Sequence, residues 1–378
     1  VRIVDVTQWY APRSGGIRTY LHAKAAYAQA HRFAHAIVVP GASSGVGRVH
    51  GSPLVELAGM PTGQTTGYRL IPHPAPITRV LDRLAPSVLV IHDATAFPRT
   101  LVRWARARSI PVALMVHSEL QTATPAAPAP VRLPTQHLLR LLQDRGLEGP
   151  DAVITASEAV AARLRQRRAS PAFVSHLGVD TEVFRPRPVD HAMRRVMAEP
   201  HESLVVHAGR MSAEKHPQLL VEALASAGSD VVLAIAGEGS AMPDLRDATH
   251  RLGVTHRLRL LGHIAAPESL ARLFATADCY LHANPAEPFG LAALEALACG
   301  CRVVLPRDAG AAEAMLPHEA VRVAPGSAAA LAAGIREALR GPRPKPDATR
   351  LAWQRSFDRE WALYRSLASR SAQGWAAA

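Results

Sequence analysis

Lysine is nearly absent from these 378 residues: Lys24, Lys215 and Lys345 are the only ones, although lysine and arginine together number 43. The abundance of arginine, alanine and proline fits a bias toward GC-rich codons. The formal charge of +12 therefore reads as a solvated arginine surface or as the mark of an anionic partner: nucleic acid, an acidic membrane or a phosphorylated substrate. Lys215 is informative against that background, because a lysine kept among arginines supplies a compact point charge. Aromatics make up only 5%. With no basic stretch interleaved with aromatics and no RRM-like or zinc-finger signature, nucleic acid is set aside as a partner. Cysteine is scarce and odd in number, and Cys279, Cys299 and Cys301 have no second cluster to complete a zinc site, so small buried thiols are expected. No run of about 18 apolar residues occurs, and the opening VRIVDVTQWY lacks a secretory pattern. The expectation is a cytoplasmic chain, soluble or peripheral on the inner face of the membrane.

What is present is a repeated pattern. Apolar runs that read as buried strands, each followed by a helical pattern, occur at 1–6, 36–40, 88–93, 112–117 and 152–157, and again at 204–210, 231–239, 258–264, 278–284 and 302–306. Continuous apolar strands alternating with helices imply parallel sheets covered on both faces. Two such sets imply an α/β chain of two doubly wound, Rossmann-like domains, spanning 1–185 and 186–351. The break lies in GVDTEVFRPRPVD (178–190), punctuated by Pro186 and Pro188. QTATPAAPAP (121–130) reads as an irregular loop after the fourth strand. Trp353, Phe357, Trp361 and Tyr364 fall at helical spacing on a terminal segment, 352–378, which is expected to return to the first domain.

Ligands of such sheets bind beyond the carboxyl ends of the strands, so the residues there are read together. In the first domain these are APRSGGIRTY (11–20), His92, Asp93 and His117. Ser14, Gly15 and Gly16 let backbone approach a ligand at the start of a helix carrying Arg18 and Tyr20. No Walker motif is present, and GVGRVH (45–50) lacks the third glycine of a dinucleotide fingerprint. In the second domain, Gly209, Arg210 and Lys215 share one strand-to-helix turn, followed by Gly237, Glu238 and Gly239, then His263 and Ile264. A guanidinium and an ammonium in one turn suit a diphosphate. The segment NPAEPFGLAALEALACG (284–300) sets Glu287 before a helix beginning at Pro288, Phe289, Gly290 and Leu291. Glu287 suits neutral hydroxyls of a sugar, and the first N–H groups of the helix suit a phosphate. Glu295 lies roughly 9 Å further along, at about 1.5 Å per residue, where a carboxylate meets ribose hydroxyls. The spacing reads as a ruler for a nucleotide sugar.

PRSGGIRTY, MVHSE, HLGVDTEVFRP, HAGRMSAEKHPQLLVEAL, IAGEGS, LLGHI and EPFGLAALEALACG together resemble the retaining glycosyltransferases of family 4. The resemblance implies the GT-B fold, two Rossmann-like domains facing across a cleft, with the first binding the acceptor and the second the nucleotide-sugar donor. It further implies that Gly15 and Gly16 approach the diphosphate, that Arg210 and Lys215 neutralise it, and that Glu295 holds the ribose. Glu287, with the backbone of Phe289 and Gly290, would hold the transferred sugar. His117 would bond that sugar near its reacting carbon, and His263 and Ile264 would meet the base. No cofactor or metal is implied, in keeping with the absence of a D-x-D triplet.

Within the family the motifs look closest to actinobacterial GDP-mannose-dependent α-mannosyltransferases that act on phosphatidylinositol mannosides, although users of UDP-glucose and UDP-N-acetylglucosamine share most of them. A glycolipid acceptor calls for a docking face. FPRTLVRWARARS (97–109) places Arg99, Arg103 and Arg106 on one helical side with Trp104 nearby. Arg18 and Tyr20 are further acceptor candidates. Other readings are a transferase with a small polyol or sugar acceptor, a phosphorylase carrying pyridoxal phosphate on one of the three lysines, an epimerase, and a non-catalytic membrane-tethered binding module.

Overall fold

The computed structural model describes residues 1–11, 15–62, 67–92, 97–117, 129–166, 172–285 and 287–376. Ser14, Asp93 and nearly all of the 121–130 loop lie outside these.

The first sheet contains β1 (Arg2–Val6), β2 (Ala34–Gly41), β3 (Gly45–Val49), β4 (Ser52–Ala58), β7 (Val88–Ile91), β8 (Val112–Val116), β9 (Ala152–Thr155) and β10 (Ala172–Val174), while β5 (Met60–Pro61) and β6 (Arg69–Leu70) make a separate small pair. The spatial order is β10-β9-β8-β7-β1-β2-β4-β3, parallel throughout except for the antiparallel edge strand β3. Ile3, Val38, Val90, Leu114 and Ile154 are fully buried, as strands covered on both faces require. Because β1 lies between β2 and β7, its carboxyl end is the point where chain order reverses, the usual place for a ligand.

The second sheet contains β11 (Ser203–Ala208), β12 (Val231–Ala236), β13 (Leu258–Gly262), β14 (Cys279–Leu281), β15 (Arg302–Pro306) and β16 (Ala320–Val323), in the order β13-β12-β11-β14-β15-β16 and all parallel. Its reversal point lies between β11 and β14. Cys279, Cys299 and Cys301 are free and buried, as expected.

The chain divides into two compact units. One takes the described residues up to Leu177 and those from Trp353 onward, and the other takes Gly178–Ala352. The division precedes the 185/186 boundary that Pro186 and Pro188 suggested. The reason lies in the packing of 178–185: Val179 bridges to Ala352 and its N–H donates to the Leu351 carbonyl, while Phe184 packs on Phe274. The terminal helix Trp353–Ala376 belongs to the first unit, where Trp353 and Phe357 meet Tyr20 edge-on and Trp361 packs on Tyr27 and Phe33.

Candidate active site

In the second unit the loops after β11 and β12 lie against each other. The Gly209 N–H donates to the Ala236 carbonyl, and the Met211 N–H to the Glu238 carbonyl. The approach is so close that a Cβ on Gly237 would fall 1.8 Å from the Gly209 carbonyl oxygen. Gly237 is therefore required for loop packing, a role its place in a ligand loop did not disclose. Arg210 projects from this turn with its side chain 46% exposed, and its nearest carboxylate is Glu214 at 3.6 Å. Glu238 is exposed, and its Oε1 accepts from the His263 N–H at 3.4 Å. His263 is itself exposed, and Ile264 half-buried.

Lys215 does not stand alone. Its Nζ lies 2.6 Å from Oε2 of Glu287, which also accepts from the Asn284 amide at 2.9 Å. Burial by itself would raise the Glu287 carboxyl, but Lys215, then His282, and the Asn284 bond outweigh it and hold the group at about 2. His282 Nε2 is 3.7 Å from the same oxygen. Among the described residues neither of its buried ring nitrogens has a hydrogen-bond partner, and burial lowers the ring to about 4. His207, whose ring is tilted 6.2 Å from His282, is also lowered to about 4 by burial, with Nδ1 on the Leu281 carbonyl. Sequence reasoning assigned no role to His207, His282 or Asn284. The only signal for the last two was their place at the end of a buried strand.

Gly290 caps the helix Leu291–Ala298 at φ 93°, in the left-handed region that glycine enters without penalty. The Phe289 ring is buried, and its carbonyl accepts from the Ala311 N–H. Phe289 thus anchors the helix start, leaving the first-turn N–H groups as the helix's offer to an anion. Glu295, half-buried on that helix, is pushed up to about 7 by burial, and among the described residues no cation pairs with it. Among the described residues no hydrogen bond or ion pair to this carboxyl is seen.

The first unit holds a second constellation at the reversal point of its sheet. Gly15 and Gly16 are exposed at the start of the helix Gly16–Ala30, with Gly15 as its cap. Arg18 is half-buried beside Tyr10 and His22. Tyr20, expected to face an acceptor, is instead fully buried: its hydroxyl donates to Glu360, and its ring packs edge-on against His117 at 5.5 Å. The helix turns Tyr20 inward, toward the returning terminal helix. His117, just past β8, is half-buried, and its Nε2 lies 2.8 Å from Nδ1 of His92. His92 Nε2 in turn lies 2.6 Å from Asp5 Oδ1, which also receives the Lys24 ammonium at 2.7 Å.

Arg99, Arg103 and Arg106 are exposed on the helix Pro98–Arg106, and Arg106 also donates to the Gly149 carbonyl. Trp104 differs from expectation. Its ring packs on the core, its Nε1 donates to Asp82, and the Arg108 guanidinium covers its face at 4.7 Å. It is not a free interfacial anchor. The neighbouring helix Ala129–Leu147 contributes what the sequence reading missed, Leu138, Leu141 and Leu142 exposed along one side. Among the described residues no helix is long and apolar enough to cross a membrane, and no group of three or more His, Cys, Asp or Glu side chains is placed to hold a metal.

Two family models match the chain: Glycosyltransferase Family 4 over residues 14–183 and Glycosyl transferases group 1 over 191–353. A GDP-mannose-dependent alpha-(1-6)-phosphatidylinositol dimannoside mannosyltransferase of Mycobacterium tuberculosis is 32% identical over 83% of this chain and 81% of its own length. A D-inositol 3-phosphate glycosyltransferase of Mycobacterium ulcerans is 32% identical over 53% of this chain and 44% of its own. Among solved structures, a sucrose-phosphate synthase from Thermosynechococcus elongatus superposes with TM-score 0.73 at 18% identity, covering 99% of this chain and 98% of that one. Anabaena HepE in complex with UDP-glucose gives 0.67 at 18% identity over the whole of both chains, 100% of each. These structural likenesses establish the fold, a GT-B arrangement of two Rossmann-like domains.

Proposed function

The chain belongs to the family 4 glycosyltransferases, and from that membership we propose that it moves mannose, with retention and without a metal, from GDP-mannose to a hydroxyl of a glycolipid of the phosphatidylinositol mannoside type. The observation that carries the reading is the Glu287 carboxylate, ionised and pinned by Lys215 and Asn284 just before the helix start at Gly290. A carboxyl held at about 2 is an acceptor only at neutral pH. It takes O–H groups of a bound sugar and has no proton to give to a leaving group. We assign it to binding hydroxyls and not to attack, so that retention proceeds in this proposal without a covalent glycosyl-enzyme of the kind two-carboxylate hydrolases form. Isolation of a glycosylated Glu287 would overturn that mechanism.

Transition-state charge is met by the chain's own groups. As the glycosidic bond breaks, negative charge grows on the diphosphate while the sugar becomes oxocarbenium-like, and Arg210, Lys215 and the helix start oppose the first of these. Exposure leaves Arg210 available for that task. The departing phosphate then accepts the proton of the incoming hydroxyl on the same face of the sugar. Glu295 takes the ribose hydroxyls, while His117 and the glycines at 15 and 16 serve the sugar and the diphosphate from the first domain. Exposed Leu138, Leu141 and Leu142, on a helix that neighbours the one bearing Arg99 and Arg103, give a glycolipid-bearing anionic surface both apolar and cationic contacts.

Similarity to the D-inositol 3-phosphate glycosyltransferase over half the chain favours one second reading, transfer to a small phosphorylated polyol. Binding and hydrolysis of GDP-mannose, UDP-glucose and UDP-N-acetylglucosamine, measured with chelator present on wild type and Lys215→Ala, separate the donor choices. Chelator-resistant, Lys215-dependent hydrolysis confined to GDP-mannose supports the mannosyl reading. Preference for a uridine donor discards it, and binding of none discards transfer.

A further inference from the structure

The buried cluster at the reversal point of the first sheet has a directionality that bears on His117. We propose that Asp5 and His92 are positioning residues that hold the His117 ring as its Nε2–H tautomer, so that His117 offers an unprotonated Nδ1 to an O–H donor of the ligand. This rests on the reading that His117 meets the transferred sugar, and it goes further by assigning which partner in that contact gives the hydrogen.

Asp5, Lys24, His35 and His92 have essentially no exposed side-chain surface. Asp5 Oδ1 receives Lys24 at 2.7 Å and His92 Nε2 at 2.6 Å, and Oδ2 receives His35 Nε2 at 2.6 Å. Burial alone would raise this carboxyl, but Lys24 and the two histidines keep it well below the ordinary range. An ionised carboxylate has no hydrogen to give, so the proton of that contact sits on His92 Nε2. Burial lowers the His92 ring against the pull of Asp5, which keeps it neutral, and a neutral imidazole protonated on Nε2 has a bare Nδ1. His117 Nε2, 2.8 Å from that Nδ1, must then be the donor. Burial first, and His92 and Lys24 next, hold His117 well below its ordinary value, so it carries a single proton and its Nδ1 is bare. Among the described residues no group takes that nitrogen.

The rings are held as well as oriented. His92 and His117 stack at 5.1 Å with 20° between planes, and Tyr20 packs 5.5 Å from each. The Tyr20 hydroxyl is fixed on Glu360, whose carboxylate also accepts from Ser175 at 2.9 Å and Tyr364 at 3.1 Å, and Tyr364 accepts from Lys24. A bare nitrogen so placed accepts a sugar hydroxyl and repels a phosphate oxygen. His117 is thus assigned to a hydroxyl of the sugar, not to the diphosphate.

Long-range proton–nitrogen correlation spectra of ring-15N-labelled histidine protein, near neutral pH, test this directly. The wild type is expected to show neutral Nε2–H tautomers for both His92 and His117. An Nδ1–H tautomer or an imidazolium at His117 overturns the proposal. His92→Phe keeps a ring in place and deletes both nitrogens; it is expected to turn His117 into a mixture of tautomers. Misplacing a positioned group by about 1 Å can cost about 100-fold, and a loss of up to that size is expected in kcat with little change in KM. His92→Gln, which presents an N–H toward Asp5 and an oxygen toward His117, is expected to recover part of it. A pure Nε2–H signal for His117 in a folded His92→Phe protein overturns the relay. If His92→Phe does not fold, the wild-type spectrum alone decides. A wild type inactive with every donor contradicts the transferase reading, while the tautomer is still read from the spectrum.

Discussion

Lys215 Nζ stands 2.6 Å from Glu287 Oε2, an ion pair that joins the loop after β11 to the loop after β14. Removing the lysine leaves a largely buried carboxylate whose partners among the described residues are His282 and Asn284, so Lys215→Ala should destabilise the protein as well as slow it. Adding Glu287→Gln should return part of the lost stability while leaving activity low. The coupling expected from a double-mutant cycle in denaturant is about 0.5–3 kcal/mol, the usual range for contacting residues. Additive effects on stability would mean that the pair is not formed in solution.

Glu287 and Glu295 should push stability in opposite directions with pH. Glu287 is depressed, so its contribution is complete above the ordinary value of 4.5 and is lost as pH falls toward about 2. Glu295 is raised, so its contribution is complete below 4.5 and is lost as pH climbs through about 7. At about 1.4 kcal/mol per pKa unit, the loss at Glu295 approaches about 3 kcal/mol at pH 8. Glu295→Gln should therefore be more stable than wild type at that pH and similar to it near pH 4, as read from urea midpoints. Equal midpoints at both values would remove the case for a raised carboxyl.

On the proposed role of Glu295 at the ribose, the same carboxyl should make nucleotide binding a proton-linked event. Ribose hydroxyls donate to an ionised Glu295 better than to a neutral one, so the donor nucleotide should bind more tightly as pH rises through about 7, with release of a proton. Calorimetry in buffers of different ionisation enthalpy reads that proton, and Glu295→Gln should abolish it. Unchanged release in the variant would place the linkage elsewhere.

Much of the fold was legible because parallel strands buried on both faces leave continuous apolar runs. The edge strand β3 left none, since Gly45–Val49 is largely exposed and contains two glycines. It pairs antiparallel with β4, and no helix follows it to mark it. Of the candidate site, EPFG and the lysine of SAEKH were readable as local motifs. His92 and His117 were grouped as strand-end residues, but their link to Asp5, Lys24 and Glu360 was not readable, because the cluster gathers residues from β1, the first helix, two further strand ends and the terminal helix. No spacing within one segment encodes such a meeting. Tyr20 was misplaced for a related reason: the helix face on which it lies is decided by the terminal helix returning over three hundred residues later.

Gly237 offers a test of what a glycine in a binding loop is for. A Cβ there would sit 1.8 Å from the Gly209 carbonyl oxygen, so the backbone of one loop must move to admit alanine. Overpacking of this kind costs about 1–3 kcal/mol, and Gly237→Ala should show it in the stability of the nucleotide-free protein. Were the glycine needed only for ligand approach, stability would hold and binding alone would fall.

The proposed docking on an anionic surface predicts dependence on the leucines of the helix Ala129–Leu147 as much as on the arginines of the helix before it. Arg99 and Arg103 are exposed, and each basic residue near an anionic surface contributes about 1 kcal/mol. Arg99→Glu with Arg103→Glu should therefore lower association with phosphatidylserine-containing vesicles at least tenfold and make the remainder less sensitive to salt. Leu138→Asp with Leu141→Asp should weaken it in high salt too, because the loss is apolar. Trp104→Phe should matter little, since the indole already lies under Arg108 and against the core. Sedimentation of the variants with vesicles of graded anionic content distinguishes these contributions, and equal binding by all of them would assign the positive charge to solvation alone.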